Sequence, residues 1–141
     1  MNDDNTENAF RCAAYDVALD ESWWTLKIGE PCPAAIQSWL RTHAGAAPAW
    51  LVTAHNPGAQ RLAADDNEVR DAVLRDWANH HAQACLATVN RDPHDDWPDE
   101  PGLLIAGVDE GLARTLARRL GQLAMVAVHA ENPTELVWLT S

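Results

Sequence analysis

Short apolar runs alternate with stretches of helical period from Cys12 to Leu139, and several of the runs follow one another with only a turn between them. This order constrains the fold more than any other feature of the chain. Parallel neighbours in a sheet need a crossover of a dozen or more residues, whereas antiparallel neighbours need only a turn. Cys12 to Leu19 and Trp23 to Ile28 read as two strands around the polar turn Asp20, Glu21 and Ser22. A first helix is predicted from about Pro33 to His43, with Ile36, Trp39, Leu40 and His43 on one face and Gly45 just past its end. Trp50 to Ala54 reads as a buried strand ending in the turn signal His55, Asn56, Pro57 and Gly58.

A second helix is predicted from about Asp66 to His81. Asp65 and Glu68 make a capping-box pattern there, and Val69, Val73 and Trp77 are its expected buried stripe. Cys85 to Val89 reads as a strand, followed by a proline-rich acidic loop from Asn90 to Pro101 and a strong buried strand from Leu103 to Val108. A third helix spans about Glu110 to Leu120, capped by Asp109, with Leu112, Leu116 and Leu120 towards the core. Met125 to His129 and Glu135 to Leu139 are predicted to form an antiparallel hairpin. The predicted fold class is therefore α/β (α+β): a single mixed sheet of about five to seven strands with three packed helices. Residues 1–9 are expected to be a disordered acidic tail and 10–141 one globular domain, which suits a chain of 141 residues.

Composition narrows the function classes. The formal net charge is −11, with ten basic residues against 21 acidic ones. Binding to duplex DNA requires cations that displace counterions from phosphates, so nucleic acid is not an expected partner. No apolar run approaches the roughly 20 residues of a membrane span, so no membrane partner is expected either. The N-terminus is acidic and polar, unlike a secretory signal. Cys12, Cys32 and Cys85 are odd in number and widely spaced, which suits a reducing, cytoplasmic setting. Cys85, among apolar strand residues, is expected to be a buried, inert thiol.

Complete catalytic motifs are absent from the sequence. It has no Cys-x-x-Cys pair, no Gly-rich phosphate loop and no Gly-x-Ser-x-Gly elbow. The second and third helices begin with carboxylates, which repel anions from those helix starts. The acidic loop lacks the spacing of a calcium hand, and adjacent His80 and His81 do not face the same way on a helix. Neither a metal nor a cofactor is expected.

The chain nevertheless marks a place for a site. Ligands of open α/β sheets bind beyond the carboxyl ends of strands. His55, Asn56, Gln60, Asn67 and Arg70 lie where the Trp50–Ala54 strand turns into the second helix. Trp97 and Glu100 stand in the proline-stiffened loop, and an Arg70–Glu100 ion pair is expected to join the two segments. Each of these residues also has a structural reading, as a cap, a loop anchor or an ion-pair partner.

Thr53, Ala54, His55, Asn56 and Pro57, then Asn67 and Arg70, then Trp97 with Glu100 and Pro101, then Gly107, then Gly121, Gln122 and Ala124 occur in a specific order and spacing. In these residues the chain resembles a family of small bacterial proteins classed as a domain of unknown function. The resemblance covers about Tyr15 to Val137. It implies a bacterial, cytoplasmic protein of one domain and brings no activity with it. Where this chain has His55, the family pattern often has an aromatic residue.

Two functional readings follow. One is a small-ligand-binding protein or minor enzyme with its pocket at the 55–70 and 97–100 loops; if catalytic, Glu100 or His55 would be the acid or base. The other is a non-catalytic interaction module using the acidic surface and an exposed Trp23 or Trp24. The partner is accordingly an unknown small molecule or a protein.

Overall fold

A computed structural model describes residues 4–139. The elements run α1 (Asp4–Cys12), β1 (Ala14–Leu19), β2 (Ser22–Leu26), α2 (Ala34–His43), β3 (Ala49–Thr53), α3 (Ala64–His81), β4 (Ala84–Arg91), β5 (Glu100–Ala106), α4 (Glu110–Arg119), β6 (Ala124–Val128) and β7 (Glu135–Trp138), with a single 3-10 turn at Pro57–Ala59 between β3 and α3. The strands form one seven-stranded sheet in the order β2-β1-β4-β5-β3-β6-β7. Each neighbouring pair is antiparallel, so the sheet is simpler than the mixed one expected. The β1–β2 hairpin turns on Asp20 and Glu21, both at positive φ, as a two-residue hairpin loop requires.

Alternation along the central strands divides the core in two. Trp50, Val52, Leu103 and Ile105 join Leu74 and Ala78 of α3 and Ala113, Leu116 and Ala117 of α4. Leu51, Leu104 and Ala106 join Ile36 and Leu40 of α2, with Phe10 of α1 packed against them. Helices thus cover both faces of the sheet. That is why β3 is buried at all of its positions and reads as a continuous apolar run.

Several local expectations are corrected. Residues 4–9 of the expected tail belong to α1, while residues 1–3 lie outside the described residues. On α3 the buried stripe is Asn67, Leu74 and Ala78, which turns Val69 and Val73 outward; they are 67% and 56% exposed. The residue before α3 is Ala63, with no side-chain cap, so Asp65 and Asp66 fall inside the first turn. On α4 the stripe Ala113, Leu116, Ala117 and Leu120 follows the helical period and leaves Leu112 exposed. Its cap is as expected: the Asp109 carboxylate accepts from the Leu112 N–H at 2.8 Å. Cys85 is exposed rather than buried, on the side of β4 that it shares with the exposed Ala87. Trp23 is 54% exposed and Trp24 half-buried, on opposite faces as alternation requires. Among the described residues no helix is long and apolar enough to cross a membrane.

Candidate functional site

The turn after β3 is built around Asn56, which is buried and sits in the left-handed region (φ 49°, ψ 62°). Asparagine tolerates this conformation better than other side chains do. Its backbone N–H donates to Asn67 Oδ1 at 2.9 Å, and its own Oδ1 accepts from Asn67 Nδ2 at 3.0 Å and from the Leu62 N–H at 2.9 Å. Its Nδ2 donates to Glu100 Oε2 at 2.7 Å. Every polar atom of Asn56 named here has a partner, so the turn, the start of α3 and the start of β5 are locked together.

Glu100 Oε2 also accepts from Trp97 Nε1 at 2.9 Å. Both donors reach the same oxygen, which leaves Oε1 without a hydrogen bond among the described residues. Burial pushes the carboxyl above its ordinary range, against the opposing pull of Trp97, Asn56 and His55. Trp97 is itself held from outside. The Arg61 guanidinium carbon lies 5.1 Å from the centre of its ring, and Arg61 Nη2 donates to the Asp96 carbonyl at 2.7 Å. Asp92 anchors the same loop by accepting from the backbone N–H groups of His94 and Asp96, both at 2.9 Å, and the His94 N–H is the main reason its pKa is lowered.

Arg70 takes no part in this cluster. It belongs to α3, on the face of the sheet opposite Glu100. Its Nε donates to the Ala54 carbonyl at 2.9 Å and its Nη2 to the Leu120 carbonyl, so it ties the end of β3 to the end of α4. The expected Arg70–Glu100 ion pair is therefore replaced by two backbone clamps and an amide-to-carboxylate contact. A second tie lies alongside: the Gly58 N–H donates to the Gly121 carbonyl at 2.8 Å. Gly121 has φ +72°, and a Cβ there would lie 2.8 Å from the Pro57 side chain, so the approach requires glycine.

A cavity of about 510 Å³ opens in front of Glu100, between the α1 helix and the sheet. Asn56, Trp97 and Glu100 line it, as do Tyr15, Asn90 and Gln122. His55, Gln60, Asn67 and Arg70 do not line it. His55 is half-buried, with its carbonyl accepting from Gln122 Nε2 at 3.0 Å; Gln60 is exposed; Asn67 and Arg70 stand behind the turn as supports. The expected segments thus meet around Asn56 and Glu100, but the space they border lies towards α1 and not towards α3.

Sequence reasoning missed the other half of this cavity. Tyr15, Asn90 and Glu100 are directly opposite one another on β1, β4 and β5, a row set only by strand register. The Tyr15 hydroxyl donates to the Phe10 carbonyl at 2.6 Å; burial, and next the charge of Glu100, raise its pKa far above the usual tyrosine value. From α1, Thr6, Ala9 and Phe10 line the cavity at helical spacing, with Ala13 just past the helix, a weak signal in a segment otherwise polar and acidic.

A family model described as "Protein of unknown function (DUF3293)" matches residues 52–125, more than half of the chain. The chain belongs to this family. Its matched stretch contains Asn56, Asn67, Arg70, Trp97, Glu100 and Gln122, while Tyr15 and α1 lie outside it. No curated protein and no solved structure matches the chain.

Proposed function

We propose that the protein binds a small molecule in the cavity beneath α1. The observation that carries this reading is a partly buried carboxylate with one unengaged oxygen, held by Asn56 and Trp97 on the wall of a cavity of about 510 Å³. Small-molecule sites typically measure about 300–1,000 Å³ and combine apolar walls with a few fixed polar groups. Here Phe10, Tyr15, Trp97 and Leu123 supply the walls, and Glu100, Asn90 and Asn56 the polar groups. The same carboxyl, raised by burial, is the group that would serve as acid or base if binding led to chemistry. The proposal sets the protein in the bacterial cytoplasm, in keeping with the free thiols of Cys12, Cys32 and Cys85. A thermal-shift screen against a metabolite and nucleotide library tests it, because a ligand of the folded state stabilises by mass action. The expected result is a class of compounds that raises Tm with saturating dose; a flat screen at millimolar concentration sinks the proposal.

A second reading, a protein-interaction module, is favoured by Trp23, which stands exposed on the edge strand β2. Light scattering that reports a monomer, together with no partner dependent on Trp23, would argue against it.

A further inference from the structure

We infer that the ligand of this cavity is an organic cation, an amine or comparable N–H-rich group carried on an apolar body. The inference rests on the binding reading above and concerns which chemistry the cavity accepts.

Tyr15, Asn90 and Glu100 form a polar row across three neighbouring strands, and all three line the cavity. Among the described residues Glu100 Oε1 has no hydrogen bond, since both donors sit on Oε2, and Asn90 Oδ1 is buried without a partner. An orphaned buried acceptor is costly, and native proteins seldom leave one without a reason. Several donors around the cavity are engaged elsewhere. The Tyr15 hydroxyl is on the Phe10 carbonyl, Trp97 Nε1 and Asn56 Nδ2 are on Glu100, and Gln122 Nε2 is on the His55 carbonyl. The cavity thus offers the unengaged carboxylate oxygen of Glu100 to a guest that supplies the protons, with the Asn90 amide oxygen buried in its wall.

Charge points the same way. Asp92, Asp96 and Glu100 border the space. The one arginine on its lining, Arg91, is matched by Asp16 at 2.7 Å and Asp99 at 2.9 Å. Neutral donors remain, the ring of His94 and the amide nitrogens of Asn8 and Asn90 among them, but no unmatched Arg or Lys lines the space among the described residues. With a net charge of −11 the field of the chain gathers cations and repels anions. The rings of Phe10, Tyr15 and Trp97 suit a cation above an aromatic face and an apolar body beside it. A bare metal ion fits less well, since no group of three or more His, Cys, Asp or Glu side chains is placed to hold one among the described residues.

Three probes of one shape separate the possibilities: phenethylamine, phenethyl alcohol and hydrocinnamate, which are cationic, neutral and anionic. Titration of the full chain is followed by calorimetry and by the indole N–H resonance of Trp97, which reports on Glu100. The amine is expected to bind at least about tenfold more tightly than the alcohol, with hydrocinnamate weakest. In Glu100→Gln, which keeps an oxygen for Trp97 and Asn56, amine affinity falls about tenfold and alcohol affinity stays unchanged. Asn90→Ala provides a second variant, with a smaller loss for the amine alone. If the alcohol or hydrocinnamate binds as tightly as the amine, or if Glu100→Gln binds the amine like the parent, the cation inference falls and the cavity reading stands. If none of the three binds, the inference also falls. If the broad metabolite screen is flat as well, both readings fall together.

Discussion

The two faces of the sheet are built from the same alternating strands, yet they end up as different kinds of surface. On one face Leu103, Ile105 and Trp50 meet α3 and α4, and Arg70 closes the strand end by bonding two backbone carbonyls. On the other face Leu104 and Leu51 meet α2, but the row beyond them is Tyr15, Asn90 and Glu100, with two acceptor atoms unengaged and a cavity above. A charged side chain can thus serve opposite ends on the two faces of one sheet. Where two of its nitrogens reach backbone carbonyls, it is a clamp. Where a partly buried carboxylate keeps one oxygen unengaged beside a cavity, it is the group on which the proposed binding rests.

The contrast can be broken most severely on the closed face. Leu116→Ala is expected to destabilise by about 2–5 kcal/mol, the range for a buried leucine, since Leu116 is 4% exposed in the α4 stripe. Urea unfolding measures it, and a midpoint equal to the parent's would mean that α4 does not pack as described. Arg70→Ala is expected next, at about 1.5–3 kcal/mol, the scale of hydrogen bonds to a charged group. Two carbonyls lose their donor. Ligand affinity should survive in the folded fraction, and a selective loss of binding at unchanged stability would put Arg70 back into the site.

Glu100→Gln sharpens the comparison by moving the other way. Burial raises the folded-state pKa of Glu100 above its unfolded value, so between the two values the folded state holds more protons than the unfolded one. Stability therefore falls as pH rises through that window. The variant carries no such penalty. Its Tm is expected to exceed the parent's at neutral pH, and the gap should close as pH drops below the ordinary glutamate value of 4.5. Melting both proteins across this range decides the matter; a variant that is less stable at neutral pH and no different in acid would mean the carboxylate is a net stabiliser. The smallest effect belongs to the outer side of α3. Val69→Ala and Val73→Ala should each change stability by no more than about 0.5 kcal/mol, as exposed positions do, and a larger loss would show that this surface is covered.

Those two valines also show where the sequence was legible and where it was not. Alternation, turn residues and the Asp109 cap revealed the strands, the hairpins and α4, because these signals are local. The stripe of α3 was misread because its buried face carries Asn67 and Arg70, polar residues satisfied by Asn56 and by the carbonyls of Ala54 and Leu120. Nothing near Asn67 in sequence announces a partner 11 residues away. Asn56, Trp97 and Glu100 stood out as chemistry-bearing residues in stiff loops, and they do meet. Tyr15 and Asn90 did not stand out, since their place beside Glu100 depends on the register of three strands drawn from distant parts of the chain. The contribution of α1 was hidden for a related reason: a nine-residue helix is marginal alone and forms against the surface it covers.

The position of α1 has a kinetic consequence. It forms one wall of the cavity and is fastened by the Tyr15 hydroxyl on the Phe10 carbonyl and by the edge-to-face packing of Phe10 on Trp138 at 5.6 Å. Short helices with few anchors open locally long before a whole fold melts. Under the proposed binding, the residence time of a guest would be governed by how often this helix lets go, and the strength of the grip by Glu100. Amide hydrogen exchange along α1 would report the rate of escape, and two proteins with the same Glu100 environment but differently anchored first helices would share a selectivity while differing in how long they hold their guest.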